Sequence, residues 1–395
     1  MTVIKPRKPK IAAVPDTAIQ LKRKFFFMLQ RKKITRKALF TNKCNNFATN
    51  VAKFVPKMKN NARGRLSPEI LSEGILNRDR IKLAKAITLT ESKLASDRAL
   101  ADEVIERVMP FTGNSYRVGL TGVPGVGKST FTETFGKVIL EHGHRLAVLA
   151  IDPSSQVSGG SILGDKTRME ELSMHKDVFI RPSPSGDSLG GVSRKTRETI
   201  LLCEAAGFDF IIVETVGVGQ SETLISEMTD FFLLLMLAGA GDELQGIKRG
   251  IMEMADAVVI TKADGDNIQN AKNAKRNYAN ALHLFPPKPS AWTAETHISS
   301  AMTKAGMNEI YDMLRRHRDL TRANGWFERN RAEQNLLWLR QTVLRRLEED
   351  FFGNKTVAQI FEQMKDKVRD GQLPPSVAAE RLLEAFFADA RHNDG

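Results

Sequence analysis

The sequence predicts an α/β fold, a mostly parallel sheet with helices on both faces, preceded by a helical segment and followed by a helical arm. Three observations predict it. Short apolar runs alternate with helical patterns between residues 116 and 261, as βαβ units require. The first of these runs enters a glycine-rich loop directly ahead of a helix. Beyond about residue 325 the pattern is helix only.

Ser67-Pro68-Glu69 reads as an N-cap with proline at the first helical position, and helical patterning runs on to Met109, with two further helices near 78–90 and 92–109. Five strands follow: Tyr116–Thr121, Arg145–Ile151, Phe208–Glu214, Phe231–Leu237 and Ala257–Thr261. The longest apolar stretch, Phe231 to Ala238, suits a buried parallel strand and falls far short of the roughly 20 residues a membrane helix needs. Trp326–Phe352 reads as one long helix with Leu336, Leu337, Leu339, Val343, Leu344 and Leu347 among its apolar positions. Two shorter helices follow near 356–370 and 374–388, Pro374-Pro375 opening the last. This arm, with Trp326, Leu336, Trp338 and Phe351, is expected to be a dimer or packing surface rather than a site.

The 395 residues are 42% hydrophobic and 27% charged, ordinary for a soluble globular chain. The net charge of +13 is unevenly placed. Residues 1–65 hold 18 of the 59 basic residues and one of the 46 acids, which leaves 41 basic against 45 acidic residues in the remainder. The folded part is therefore mildly acidic, and the basicity is no argument for a nucleic-acid-binding domain. The extension, expected to be disordered, has two competing readings. A start near Met58 in a bacterial, cytoplasmic protein is favoured, because the charge becomes balanced there. The alternative is a mitochondrial presequence and a matrix location, which the shortage of acids fits and the lysine-rich, serine-free composition does not. The two cysteines, Cys44 and Cys203, exclude a disulfide framework and a cysteine zinc site by count, and Cys203 is expected as a small buried hydrophobe on a helix.

The strongest motif is Gly122-Val123-Pro124-Gly125-Val126-Gly127-Lys128-Ser129. It matches G-x-x-x-x-G-K-[ST] between a strand and a helix, so residues 111–325 are expected to form a P-loop nucleotide-binding domain. Its glycines let backbone N–H groups turn inward around phosphates, and the helix from Lys128 adds its positive end. Lys128 is expected on the β- and γ-phosphates, Ser129 on Mg²⁺, and Thr130 beside them. Farther on, the strand Ala257–Ile260 runs into Thr261-Lys262-Ala263-Asp264, similar to the guanine-reading N/T-K-x-D loop. Asp264 can accept from both N1–H and the exocyclic amino group of guanine, a pair adenine does not offer. Lys262 would lay its stem along the base, Thr261 stands where Asn is commoner and is expected to lose one contact, and Ser300-Ala301 resembles the loop that caps the guanine oxygen. The order of these loops favours GTP over ATP.

Asp152-Pro153-Ser154-Ser155 and the stretch from Ser158 to Met169 (SGGSILGDKTRM) follow the second strand, Glu214–Glu222 (ETVGVGQSE) the third and Gly241–Gly250 (GDELQGIKRG) the fourth. Together these strings resemble the MeaB/ArgK family of G-protein chaperones, over roughly residues 67–390. The resemblance implies a homodimeric GTPase that loads, protects and reactivates an adenosylcobalamin-dependent acyl-CoA mutase, methylmalonyl-CoA mutase or a relative, while the mutase holds the cobalamin. It also implies roles. Asp152 and Asp165 look like first-switch acids near Mg²⁺, and Glu214 like the acid of its shell. Gly217 would offer its N–H to the γ-phosphate. Gln220, Asp242, Gln245 and Lys248 would couple nucleotide state to the mutase. By charge pattern alone Asp165 and Lys248 read as solvated surface.

Ras-type GTPases place a water-orienting Gln directly after the second-switch glycine. Here Val218 stands there and Gln220 lies two residues on, so hydrolysis by the isolated protein is expected to be slow, with Lys128, Mg²⁺ and backbone N–H groups stabilising the transition state. The seven histidines are scattered, and His142 and His144 read as surface residues of a turn; no metal cluster beyond Mg²⁺ is expected. Two other functions stay open: a nucleotide-dependent kinase linked to amino-acid transport, and a regulatory GTPase that uses the basic extension.

Overall fold

The computed structural model describes residues 66–151, 169–183, 189–215, 221–239 and 249–393. The basic extension and Cys44 lie outside them. Helices α1 (Pro68–Leu76), α2 (Arg80–Glu91) and α3 (Ala95–Val108) come first. Ser67 caps α1 as its sequence predicts, its hydroxyl oxygen accepting from the Ile70 N–H at 3.4 Å. Asp79 caps α2 in the same way, accepting from the Ile81 and Lys82 N–H groups at 2.9 and 3.1 Å. These helices bury Leu71, Ile75, Leu83, Ile87, Val104 and Val108 and pack on one another and on α6 (Leu189–Ala205).

One sheet of seven strands, all parallel, forms the centre, in the order β3-β2-β4-β1-β5-β6-β7. Its strands are β1 (Tyr116–Gly122), β2 (Leu146–Ile151), β3 (Val178–Ser183), β4 (Phe210–Thr215), β5 (Phe231–Leu237), β6 (Ala257–Thr261) and β7 (Glu295–Ile298). The five central strands are the five apolar runs legible in the sequence. They are covered on both faces, so nearly every position is apolar: Val148, Leu149, Ile211, Val213, Leu233, Leu235, Val258 and Val259 are all fully buried. The two edge strands are not legible. β3 carries Arg181 and Pro182, and an edge is where a strand tolerates proline. β7 is four residues long and reads Glu-Thr-His-Ile.

The crossovers are α4 (Lys128–Glu141), α5 (Glu170–Met174), α6, α7 (Ser221–Ser226), α8 (Arg249–Met254) and α9 (Ile268–Leu282). Cys203 sits on α6, fully buried as expected, and burial pushes its thiol well up. In the turn after α4, His142 is exposed as expected, its ring stacked on Tyr311 with centroids 3.8 Å apart; His144 departs from expectation. His144 is half-buried and bridges Asp209 and the Tyr311 hydroxyl, each at 2.8 Å, because α10 (Met307–Ala323) packs over that turn. The C-terminal helices are α11 (Trp326–Gly353), α12 (Lys355–Arg369) and α13 (Pro375–Asn393). Only Phe327 and Gln334 are buried among the residues of α11. Among the described residues no helix is long and apolar enough to cross a membrane.

Candidate functional site

In a parallel sheet every strand ends on the same edge, and ligands bind there, at the switch in strand order. Here β1 lies between β4 and β5. Its carboxyl end runs into Gly122–Gly127 and then α4, so the loop opens at the middle of that edge. Gly127 stands at φ 89°, a left-handed conformation that turns the chain into the helix. Gly122 is required by a close approach, since a Cβ there would lie 2.5 Å from the Leu235 carbonyl oxygen of β5. Lys128 opens α4 buried, its Nζ donating to the carbonyls of Gly122 at 2.9 Å and Val123 at 3.4 Å. The ammonium is folded back over the loop, whose crest, Pro124 and Gly125, is exposed along with Thr130.

Glu214 faces α4 from the neighbouring strand, in register with Leu120. Ser129 donates to its Oε1 at 3.5 Å and Thr132 to its Oε2 at 3.0 Å. A hydroxyl and a carboxylate are hard oxygen donors, and the pair suits Mg²⁺. Thr132 lies outside the sequence motifs. Its signal is its spacing of three from Ser129 on one helix face. Behind them, the Thr121 and Thr215 hydroxyls meet at 2.8 Å and link β1 to β4.

The loop after β6 is tied to the loop after β1. Thr261, 5% exposed, donates to the Val126 carbonyl at 2.8 Å and to Met236 at 3.3 Å. The expected loss of a contact at this position is therefore met by a hydroxyl that holds the phosphate loop itself. Lys262 reaches back to the Gly125 carbonyl at 2.9 Å and passes 3.9 Å from where a Gly127 Cβ would lie. It does so from φ 55°, a conformation that costs a non-glycine residue about 1 kcal/mol. Asn267 braces that backbone by donating to the Lys262 carbonyl at 2.8 Å.

Asp264 is hydrogen-bonded by the Ser300 hydroxyl, although the two lie on successive loops of the edge. Ser300 is fully buried and also accepts from the Thr303 N–H at 3.2 Å. The loop is fixed from below by Ser299 N–H to the Ile260 carbonyl at 2.8 Å and Ala263 N–H to the Ser299 carbonyl at 3.0 Å. Ala301 accepts from Thr134 of α4 at 3.3 Å. Thus Lys128, Ser129, Glu214, Thr261, Lys262, Asp264, Ser300 and Ala301 share one edge. Asp152, Asp165, Gly217, Gln220, Asp242, Gln245 and Lys248 lie outside the described residues, in segments 152–168, 216–220 and 240–248. These segments follow β2, β4 and, two residues on, β5, whose carboxyl ends lie on the same edge.

Known proteins are similar to this chain over most of its length. The sequence profile of the family described as methylmalonyl-CoA mutase-associated GTPase MeaB matches residues 83–356. A Caulobacter vibrioides protein is 50% identical over 321 residues, 81% of this chain and 98% of its own. GTPase ArgK of Escherichia coli is 44% identical over 306 residues, 78% of this chain and 92% of its own. The mitochondrial methylmalonic aciduria type A homolog of Mus musculus is 45% identical over 326 residues, 80% of this chain and 79% of its own. Among solved structures, a LAO/AO transport system kinase superposes with a TM-score of 0.65 at 36% identity, covering 80% of this chain and 96% of that one.

Proposed function

The chain belongs to the family of methylmalonyl-CoA mutase-associated GTPases and is a GTPase, and from that premise we propose that it is the GTP-driven chaperone of an adenosylcobalamin-dependent acyl-CoA mutase. The observation that carries the nucleotide half of this reading is the pair of bonds from Thr261 and Lys262 to Val126 and Gly125. They set the spacing between a loop able to hold phosphates and a carboxylate able to read guanine.

On this reading Lys128 leaves the Gly122 and Val123 carbonyls for phosphate oxygens. Until then those carbonyl contacts keep the buried ammonium hydrogen-bonded beside the loop. Ser129 and Glu214 would hold Mg²⁺, with Asp152 and Asp165 from the adjoining segment. The ion, when bound, neutralises charge on the β- and γ-phosphates. Ser300 keeps one Asp264 oxygen engaged and so aims the carboxylate at the N1–H and amino group of guanine. Ala301 lies beside it at the guanine oxygen. Gly217 would offer its N–H to the γ-phosphate, and Val218 in place of a Gln would leave the attacking water unaligned until a partner completes the site. Gln220, Asp242, Gln245 and Lys248 carry the nucleotide state to the mutase, which keeps the cobalamin.

The apolar stripe on α11 supports a homodimer. Leu336, Leu339, Val343, Leu344 and Leu347 are 48–61% exposed and recur at helical spacing along one side.

The test is GTP hydrolysis by the full chain, alone and with a purified adenosylcobalamin-dependent acyl-CoA mutase. Slow turnover alone, strongly accelerated by the mutase, is expected. No acceleration and no complex in any nucleotide state would overturn the partner. The kinase reading, suggested by the name of the LAO/AO transport system kinase, would show as radiolabelled phosphate on an acceptor instead of free in solution.

A further inference from the structure

The buried side of α11 holds one small piece of the domain, the end of α7 and the turn behind it. Gln334 is the polar residue buried in that helix, 7% exposed. Its Nε2 donates to the Thr229 carbonyl at 2.8 Å and to Ser226 at 3.4 Å. Its Oε1 is buried with no hydrogen-bond partner among the described residues. Arg331, almost one turn earlier, grips Asp230 through Nε at 2.8 Å and a terminal nitrogen at 2.7 Å. Gln341, two turns later, donates to Glu227 at 3.0 Å. From the other side Arg197 of α6 donates to the main-chain carbonyl of Gln334 at 3.1 Å and faces Glu227 at 3.5 Å. Burial pulls that guanidinium down to about 10.

The gripped piece is connected to the nucleotide edge by short routes. α7 begins at Ser221, directly after segment 216–220, which leaves β4 one residue beyond Glu214 and Thr215. One residue before its end, Ile225 is fully buried against Gly119 of β1, where a Cβ would lie 2.4 Å from the Ile225 Cγ2. Gly119 stands three residues ahead of Gly122 on the same strand. A displacement of α7 is therefore felt by the strands that bear the site and by α11 together, because close-packed contacts do not stretch.

We propose that Gln334 is a positioning residue for GTP turnover, acting through α7, and that α7 passes the nucleotide state to the C-terminal helices. This rests on the GTPase reading above. Gln334 suits the part because its two carbonyl partners are held unequally and its own oxygen is unused. A slide of α7 would exchange the nearer carbonyl for the other, and so would give the discrete pair of arrangements that coupling requires. Trp338, one turn further along α11, lies with its ring centroid 6.0 Å from the Arg197 guanidinium, and its buried N–H has no partner among the described residues. It is a built-in reporter of the same contact.

The experiment compares the native full chain with Gln334→Met, which keeps the length of the side chain, and with Gln341→Ala, which alters a half-buried contact and spares the fold. Tryptophan emission is recorded with GDP and with a non-hydrolysable GTP analogue, and Trp338→Phe assigns the signal. GTP turnover and thermal unfolding are measured alongside. A nucleotide-dependent emission change that disappears in Trp338→Phe and shrinks in Gln334→Met and Gln341→Ala is expected. With it, kcat should change by about 2- to 30-fold while KM for GTP stays within about 2-fold. Emission and kcat that match the native chain in both variants would overturn the coupling and leave the GTPase reading standing. Failure of the native chain to bind GTP would overturn both.

Discussion

Replacing Thr261 with Val tests whether the guanine loop holds the phosphate loop. The two side chains have nearly the same shape, so the change deletes a hydroxyl and little else. Thr261 is 5% exposed and donates to Val126 at 2.8 Å and Met236 at 3.3 Å. Water cannot readily replace a donor so deep in the fold. A buried hydrogen bond contributes about 1 kcal/mol net, and leaving its acceptor unsatisfied costs about 1–3 kcal/mol. The second, longer bond adds little. A loss of about 1–2 kcal/mol is therefore expected, a fall in Tm of about 2–6 °C for a domain of this size. If the bond serves mainly to shape the site, the same energy appears as a weakening of GTP binding by about 5- to 30-fold. Differential scanning fluorimetry and titration with a fluorescent GTP analogue measure the two. Thr261→Ser, which keeps the hydroxyl, should lie much closer to the native chain on both. Native-like melting and native-like affinity in Thr261→Val would refute the claim that this hydroxyl joins the loops.

Two further outcomes follow from features away from the site. Glu198 of α6 is 5% exposed; Arg194 donates to one oxygen at 3.0 Å and the other is buried without a partner among the described residues, and burial pushes its carboxyl up from 4.5 to about 7. The fold thus favours the protonated form, so this group's contribution is fully present below about pH 4.5 and is lost as pH rises through about 7. Glu198→Gln should remove that part of the Tm-against-pH curve and melt above the native chain at about pH 8; parallel curves would refute it. Leu344, 56% exposed on the apolar stripe of α11, should tolerate Asp in the monomer, with stability changed by less than about 0.5 kcal/mol, yet convert a native dimer to a monomer in light scattering. A variant that stays dimeric, or a native chain that is monomeric, would refute the dimer.

The chemistry proposed for the site is legible in the sequence because phosphate and base recognition use short contiguous segments. A loop of one strand–turn–helix unit must supply its own glycines, lysine and hydroxyl in order, so Gly122–Ser129 can be recognised without knowing what surrounds it. The central strands are legible for a related reason, burial on both faces. Thr132 and the role of Thr261 are not, because each acts on a residue fixed elsewhere in the chain, Glu214 for one and Val126 for the other. Nothing about a threonine in sequence states that a carbonyl 135 residues away accepts from it. The edge strands β3 and β7 are not legible because a strand at an edge is exposed along one side and need not be apolar. His144 is half-buried instead of at the surface because Tyr311 arrives from a helix 167 residues distant.

The sequence by itself determined the order of the loops, the five central strands, the long final helices and the separation of a basic extension from a balanced folded part. These depend on periodicity and on contiguous motifs, which a linear chain carries whole. The tertiary structure alone decided that the loops after β1, β6 and β7 are bonded into one surface, that Glu214 stands opposite Ser129 and Thr132, and that α11 grips the end of α7. Those relations depend on which strands become neighbours, and neighbourhood in a sheet of order 3-2-4-1-5-6-7 is set by packing rather than by succession along the chain.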